Sequence, residues 1–151
     1  MNSEITIRPY TIADKITLLE LLTLNVPKYF AEEEIEDFRL YLDHEVELYY
    51  VAQLNNQIVG SGGINFEENR SVAKISWDFI HPEYQQAGIG TRLLAHRLAV
   101  LQTMEDVKRI FVRTSQLAYP FYQKNGFVLL ETVKDYWAEG FDLYRMEYKK
   151  I

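Results

Sequence analysis

The stretch that decides the fold is IHPEYQQAGIGTRLL, residues 80–94. Pro82 ends the apolar run that leads into it, because proline has no backbone N–H to donate to a neighbouring strand. A helix begins near the glycines, and its first turn has unpaired N–H groups at the positive end of the helix dipole. Gly88 and Gly90 have no Cβ that would keep an anion away from those amides. The stretch therefore predicts a strand, a phosphate-binding turn and a helix.

The spacing of the glycines separates this turn from two common phosphate-binding loops. A P-loop ends in Gly-Lys-Ser/Thr, whereas Gly90-Thr91 has no lysine. A dinucleotide-binding loop has a third glycine and lies early in its βαβ unit, but position 87 is Ala87 and the stretch is in mid-chain. The pattern Q-x-x-G-x-G at 85–90, preceded by I-x-P at 80–82, instead resembles the acetyl-CoA pyrophosphate loop of the Gcn5-related N-acetyltransferase (GNAT) family. A core helix that contains two glycines by chance is the alternative.

A second segment, AYPFYQKNGF at 118–127, resembles the later motif of the same family, a helix bearing Phe-Tyr that is followed by Gly-Phe. Together the two motifs extend the resemblance over almost the whole chain. It implies an α/β (α+β) fold with a mixed, mostly antiparallel sheet of about seven strands. Helices would cover both faces, and the sheet would splay at its two central parallel strands. Residues 1–151 are expected to form a single acetyltransferase-like domain.

Hydrophobic spacing predicts the individual elements. Strands are expected at 4–8, 48–54, 57–66, 72–80, 107–113, 127–133 and 143–148, and helices from 11, from about 31, after 90 and at 118–125. The turn Asn55-Asn56 joins two strands of a three-stranded meander, and glycines at 60, 62 and 63 predict a bulge or a close backbone approach. A loop at 136–140 joins the last two strands. On the helix after 90, leucines form the apolar face, and Arg97 is placed away from it.

Composition excludes several classes of function. The net charge of −6 argues against a nucleic-acid partner and favours cationic partners. With no cysteine, the chain has no disulfide, thiolate metal site or cysteine nucleophile, and its three histidines are not at metal-ligand spacing, so we infer no metal. Since neither a signal sequence nor a membrane-length apolar run is present, we expect a cytoplasmic protein without a membrane partner. A homodimer stays open.

The family resemblance implies acetyl-CoA as the co-substrate. Backbone N–H groups of the turn from Gln86 to Thr91 would bind the pyrophosphate, and pantetheine would run along the preceding strand. Many relatives carry an asparagine where this chain has 114–116, so Ser115 either replaces it or caps the next helix. The expected cofactor-binding residues are Phe79, Ile80, Gln85, Gln86, Ala87, Gly88, Ile89, Gly90, Thr91, Ser115 and Tyr122.

Two residues are predicted to be catalytic. Tyr122 matches the family tyrosine whose hydroxyl can protonate the departing CoA thiolate, although a core aromatic is the alternative. A base is needed because an alkyl ammonium has a pKa near ~10.4. Lys74, Ser76 and Asp78 share a strand face by alternation, and Asp78 is the carboxylate among them, so it is the predicted base. Asp78 could instead be a hydrogen-bonded bulge residue or anchor the substrate ammonium, with water relaying the proton.

The acceptor is less well defined by the sequence. The acidic segment 32–47 is either a solvated surface or a surface that attracts an amine. Aromatic residues that line an acceptor pocket or pack in the core are Trp77, Tyr84, Tyr136 and Trp137. The predicted function is an N-acetyltransferase that moves acetyl from acetyl-CoA to a primary amine of a small molecule or peptide by direct attack in a ternary complex. A non-catalytic acyl-CoA-binding or regulatory module on the same fold is the alternative.

Overall fold

A computed structural model describes residues 4–149 of the chain. Within that range the strands are β1 Ile5–Pro9, β2 Leu48–Leu54, β3 Gln57–Glu67, β4 Val72–Ile80, β5 Arg109–Thr114, β6 Phe127–Ala138 and β7 Phe141–Tyr148. The helices are α1 Lys15–Thr23, α2 Glu33–His44, α3 Ile89–Gln102 and α4 Tyr119–Lys124, with 3-10 turns at Ile12–Asp14 and Pro82–Ala87. In the described part of the chain, no helix has the length and apolar character needed to cross a membrane.

The seven strands form one sheet in the order β1-β2-β3-β4-β5-β7-β6. Every neighbouring pair is antiparallel except β4 and β5, which are parallel and connected through α3. The parallel pairing runs only from Val72↔Arg109 to Ile75↔Val112, and both strands continue beyond it. The predicted mixed, mostly antiparallel sheet that splays between its central parallel strands is therefore confirmed.

Apolar side chains form a core on each face of the sheet. Alternation along β2 sends Tyr50 and Ala52 to one core and Tyr49 and Val51 to the other. The first core packs under α3 and α4, and the second packs under α1 and α2. Helices thus cover both faces, as predicted.

The hairpin between β2 and β3 turns at Asn55 and Asn56, which have φ of 53° and 66°. Positive φ at both central residues is typical of the tight turn whose twist matches that of the strands, and asparagine tolerates this conformation. The predicted hairpin and its turn are confirmed.

The C-terminal hairpin differs from the sequence prediction. Residues 136–138 were expected in a loop, but β6 runs through them to Ala138, and the turn is reduced to Glu139-Gly140. Trp137 explains the extension, because its Nε1 donates to the Thr114 carbonyl at 3.1 Å and so holds the end of β6 against β5.

The predicted cap of the next helix is also wrong. Helix α4 begins at Tyr119 with Ala118 at the N-cap position, three residues after Ser115. The Ser115 hydroxyl instead accepts from the Leu117 amide at 3.2 Å, so it stabilises a turn that precedes the helix.

Candidate functional site

A cleft of about 890 Å³ opens where β4 and β5 part. Its walls are the second half of β4, the end of β5, the start of α3 and helix α4. The segment between α1 and α2 contributes Asn25, Tyr29 and Phe30 to the lining. Ligands commonly bind where a sheet opens in this way.

The glycine turn lies at one end of the cleft. Gly88 is left-handed, with φ of 78°, and it precedes the first residue of α3. The first bond within the helix is from the Arg92 amide to the Gly88 carbonyl at 3.1 Å, so the amides of Ile89, Gly90 and Thr91 precede the ladder. These amides are the donors that the sequence predicted for an anion.

The fold itself does not require a glycine at position 90. The φ of Gly90 is not in the left-handed region, and an added Cβ would meet Phe121 at 3.5 Å and Ile80 at 4.0 Å, which are ordinary contact distances. Glycine inside a helix costs about 1 kcal/mol relative to alanine. The open space at Gly88 and the uncrowded contacts at Gly90 fit an anionic group that must approach the backbone closely.

Most of the predicted cofactor residues line this cleft: Phe79, Ile80, Gln85, Gly88, Gly90, Thr91, Ser115 and Tyr122. Ile89 has a fully buried side chain in the core under α3, so only its backbone is available there. Ala87 is exposed beside the turn, and only the backbone of Gln86 is described.

A β-bulge in β4 decides where Asp78 points. Between two paired positions β3 advances from Ser61 to Gly63, whereas β4 advances by three residues, from Ser76 to Phe79. Trp77 takes a φ of 51° in this extra step. The bulge interrupts the alternation of side chains between the two faces of β4.

The shared face predicted for Lys74, Ser76 and Asp78 is therefore wrong. Lys74 forms an ion pair with Glu67 at 2.7 Å, on the face opposite to Ala73 of the α3 core. Asp78 points toward α3 and reaches Arg97 there. Strict alternation fails because the extra residue reverses the order of faces.

Arg97 is the residue that the sequence prediction misplaced. It is fully buried, although it was expected away from the apolar face. Its Nη1 and Nη2 donate to the two oxygens of Asp78 at 2.5 and 2.9 Å. Burial opposes the charge, but the Asp78 carboxylate outweighs it and raises the pKa of Arg97. The spacing held a signal, since Leu93, Arg97 and Leu101 are four residues apart and share one helix face.

Tyr122 completes a cluster with these two residues, in which Arg97 and Tyr122 are buried and the Asp78 side chain is 21% exposed. Its hydroxyl donates to Asp78 Oδ2 at 2.5 Å, and the residue is 3% exposed. Burial, reinforced by the neighbouring carboxylate, raises the pKa of Tyr122 well above the usual range. The structure thus brings together the two residues predicted to be catalytic, and it adds Arg97 behind them. We define Arg97, Asp78 and Tyr122 as the buried triad.

Carboxylates also line the cleft, among them Glu34 and Glu47. Glu34 is buried, its Oε2 accepts from the Ala31 amide at 2.9 Å, and burial raises its pKa. Asn65 Nδ2 donates to Glu47 Oε1 at 3.0 Å, and the Tyr41 hydroxyl donates to Asn65 Oδ1 at 2.7 Å. The contacts that hold Glu47 were missed by sequence reasoning, because Tyr41, Glu47 and Asn65 come from three separate segments.

The four candidate aromatics divide into two pairs. Trp77 and Trp137 line the cleft. Tyr84 packs against the core under α3, and Tyr136 contacts the Arg113 guanidinium. Within residues 4–149, no three histidine, aspartate or glutamate residues are grouped so that they could hold a metal ion.

Comparisons with known proteins agree on one family. A model described as an acetyltransferase (GNAT) domain matches residues 20–150. An N-alpha-acetyltransferase of Saccharolobus solfataricus is 26% identical over 148 residues, which cover 88% of this chain and 84% of the relative.

Two solved structures share the fold. A GNAT-family structure from Desulfovibrio desulfuricans has a TM-score of 0.79 at 18% identity and covers 97% of this chain and 99% of its own. Arabidopsis thaliana Naa50 in complex with the bisubstrate analogue CoA-Ac-MVNAL has a TM-score of 0.74 at 20% identity, with the same coverage of 97% and 99%.

Proposed function

This chain belongs to the GNAT family and is an acetyltransferase, and we propose that it transfers acetyl from acetyl-CoA to the primary amine at a peptide N-terminus. The neutral amine nitrogen attacks the thioester carbonyl directly. The C–S bond then breaks, and the nitrogen gives a proton to water in the cleft as the amide forms. The thiolate takes a proton from Tyr122 and leaves as the thiol, and the tyrosinate regains a proton from water. No side chain is acylated, and a single domain over residues 1–151 would supply positioning and proton transfer.

The observation that carries this proposal is the open glycine turn at the head of the cleft. Gly90 is not required by backbone conformation or by packing, so a close ligand is the simplest reason for it. The first-turn amides of α3 would bind the CoA pyrophosphate. The parted edge of β4 from Ser76 to Ile80 would accept pantetheine as an added strand.

The relatives favour a peptide acceptor over a small molecule. Those matched are named N-alpha-acetyltransferases, and one structural neighbour was solved with a peptide-bearing analogue. They also favour an enzyme over the non-catalytic binding module. Glu34 and Glu47 in the lining of the cleft would attract the substrate ammonium before it loses its proton.

Tyr122 is proposed as the proton donor to the departing thiolate. Its hydroxyl is protonated at neutral pH, and because burial and the Asp78 carboxylate raise its pKa, it gives up the proton only as the departing thiolate takes it. Asp78 was the predicted base, but its two oxygens already accept hydrogen bonds from Arg97 and Tyr122. We therefore assign removal of the ammonium proton to water in the cleft, the relay that the sequence left open.

A thermal-shift titration tests the cofactor. At 100 times Kd, a ligand that binds only the folded state adds about 2.7 kcal/mol, or about 5–10 °C for a chain of this size. Acetyl-CoA and CoA should both raise the melting temperature of the wild type. The Gly90→Val variant should fold but show little shift, because its side chain fills the space above the turn. Absence of a shift in the wild type would contradict the proposal.

A thiol-release assay tests the acceptor. A peptide with a free N-terminus should release CoA thiol, and the same peptide with an acetylated N-terminus is the matched control. Release with small amines alone would contradict the peptide assignment. Tyr122→Phe should lower kcat by about 100-fold or more while the acetyl-CoA shift persists, since general acid catalysis commonly contributes that much.

A further inference from the structure

Arg97 carries a charge into the apolar interior between α3 and the sheet. Its guanidinium loses its hydration there, and each of its nitrogens has a protein partner instead. Nε donates to the Leu93 carbonyl at 3.1 Å, Nη1 also donates to the Gly63 carbonyl at 3.1 Å, and both terminal nitrogens hold Asp78. The guanidinium is therefore fixed from three sides, and the carboxylate of Asp78 is fixed with it.

The sheet is shaped around this ion pair. A Cβ on Gly62 would lie 2.4 Å from Asp78 Oδ1 and 2.7 Å from Arg97 Cζ, so a larger residue there would displace the pair. The bulge at Trp77 turns Asp78 toward α3, where regular alternation would turn it away. Gly62 on β3, the bulge in β4 and Arg97 on α3 are thus all needed for the contact between Arg97 and Asp78.

Stability alone does not account for the contact. A buried ion pair can often be replaced by apolar residues of similar volume without loss of stability. Arg97 lies beside a leucine-rich core, and apolar side chains in place of the ion pair would extend that core. What the pair provides is a fixed carboxylate at the wall of the cleft, where the Tyr122 hydroxyl donates to it.

We propose that Arg97, acting through Asp78, is a positioning residue for Tyr122. The guanidinium grips both oxygens of Asp78, and the carboxylate then holds the Tyr122 hydroxyl at the wall of the cleft where the thioester sulfur would pass. This role rests on the proposed function of Tyr122 as proton donor. Asp78 accordingly acts as a positioning residue and not as the proton acceptor for the amine.

A double-mutant cycle tests the connection. Arg97→Lys keeps a positive charge but cannot bond both carboxylate oxygens as a fork. We expect kcat to fall about tenfold, with the KM for acetyl-CoA within about twofold of wild type. In the Tyr122→Phe background the same change should cause no further fall, because there is no hydroxyl left to position. Full kcat in Arg97→Lys, or losses that multiply in the double variant, would overturn the proposal.

A second variant guards against a folding defect. Asp78→Leu combined with Arg97→Met removes both charges and keeps an apolar interior, so the chain should fold and still bind acetyl-CoA in the thermal-shift assay. Its kcat should fall to the level of Tyr122→Phe. A pair that serves only the fold predicts wild-type kcat in this folded double variant, and that result would overturn the proposal.

An NMR measurement separates failure of this inference from failure of the proposed chemistry. With tyrosines labelled with ¹³C at the ring ζ carbon, the Tyr122 resonance is the one of eleven that disappears in Tyr122→Phe. It should shift in Arg97→Lys, in which Asp78 is intact, whereas the exposed Tyr136 should not change. An unshifted Tyr122 resonance overturns the inference whatever the kinetics. If Tyr122→Phe keeps full kcat, the proposed chemistry fails, and a shifted resonance would still show that Arg97 holds the tyrosine.

Discussion

Replacing Gly62 with alanine is expected to disrupt the buried triad without altering the order of the strands. The new Cβ would lie 2.4 Å from Asp78 Oδ1, and real Cβ atoms do not approach closer than 3.0 Å, so the oxygen must retreat by at least about 0.6 Å. The same Cβ would lie 2.7 Å from Arg97 Cζ and Nη1, so both partners must move. The Nη1–Oδ1 bond of 2.5 Å is then lost unless they move together, which the bonds of Arg97 to Leu93 and Gly63 resist.

The size of the effect follows from the contacts at risk. Loss of one hydrogen bond between charged groups costs about 1.5–3 kcal/mol. For a chain of 151 residues this corresponds to a fall of about 3–12 °C in melting temperature. Because Tyr122 donates to the displaced carboxylate, kcat at saturating acetyl-CoA should fall about tenfold as well.

Gly60→Ala is the matched control on the same strand. Its Cβ would be equally crowded, at 2.7 Å from Ile80 Cδ1, but that atom is the flexible end of an apolar side chain. We expect a comparable loss of stability from overpacking, about 1–2 kcal/mol, with kcat at saturating acetyl-CoA within about twofold of wild type. Equal kcat values for the two variants, measured by thiol release, would refute the reasoning.

Three carboxylates give predictions that depend on pH or on the acceptor. Arg109 lowers the pKa of Glu147 from 4.5 to about 2, so this pair stabilises the fold above pH 4.5 and the contribution is lost as pH falls toward 2. Since Arg109 is half exposed, Glu147→Gln should cost at most about 1 kcal/mol at pH 7 and flatten the acid limb of the melting profile. Burial raises the pKa of Glu34, so its ionised form is destabilising; Glu34→Gln should raise the melting temperature at pH 7 by about 1–3 °C and show no gain at pH 4. Glu47→Gln should raise the KM of a peptide acceptor about two- to fivefold at low salt, less at high salt, with the KM of acetyl-CoA unchanged.

Features fixed by local chemistry were predictable from the sequence. The left-handed Gly88, the Asn55-Asn56 turn and the stop at Pro82 each follow from what one or two residues allow. The meander β2-β3-β4, the parallel pairing of β4 with β5 and the pairing of β6 with β7 followed from the short connections and from the crossover through α3, whereas the position of β7 between β5 and β6 was not predicted. The position of the cleft was also predictable, because the glycine turn follows β4 directly and lines one end of the cleft.

The orientation of Asp78 could not be predicted in this way. It depends on the extra residue that β4 takes between Ser76 and Phe79, and that residue is defined only by pairing with β3. The periodicity of β4 alone does not show how β4 pairs with β3. Strict alternation therefore predicted the wrong face for Asp78. Trp77, with its positive φ, is a residue type for which no turn propensity would suggest a bulge.

For Arg97 the sequence did contain a signal, the helical spacing, but that signal conflicts with the usual exposure of arginine. Its spacing from Leu93 and Leu101 placed it on the buried face, yet arginine is almost never fully buried unless it is paired. The partner comes from β4, about twenty positions earlier, and reaches α3 only because of the bulge. Neither feature is interpretable alone, which is why the sequence offered a hydrogen-bonded bulge residue only as an alternative for Asp78 and did not predict its contact with Arg97.

The parting of β4 from β5 and the bulge in β4 have a common consequence for the site. Beyond Ile75 the strand has lost its parallel neighbour, so the backbone from Ser76 to Ile80 has one free edge, and its side chains reach the cleft from both faces. The bulge determines which side chain lies on which face. Trp77 stacks on Phe30 beneath α2, and Asp78 forms its ion pair with Arg97 beneath α3. The aromatic pair Trp77 and Phe30 and the buried triad therefore lie on opposite faces of the same short segment of backbone. A change that removed the extra residue would restore regular alternation, exchange the two faces and separate Tyr122 from its carboxylate, even if all seven strands kept their order.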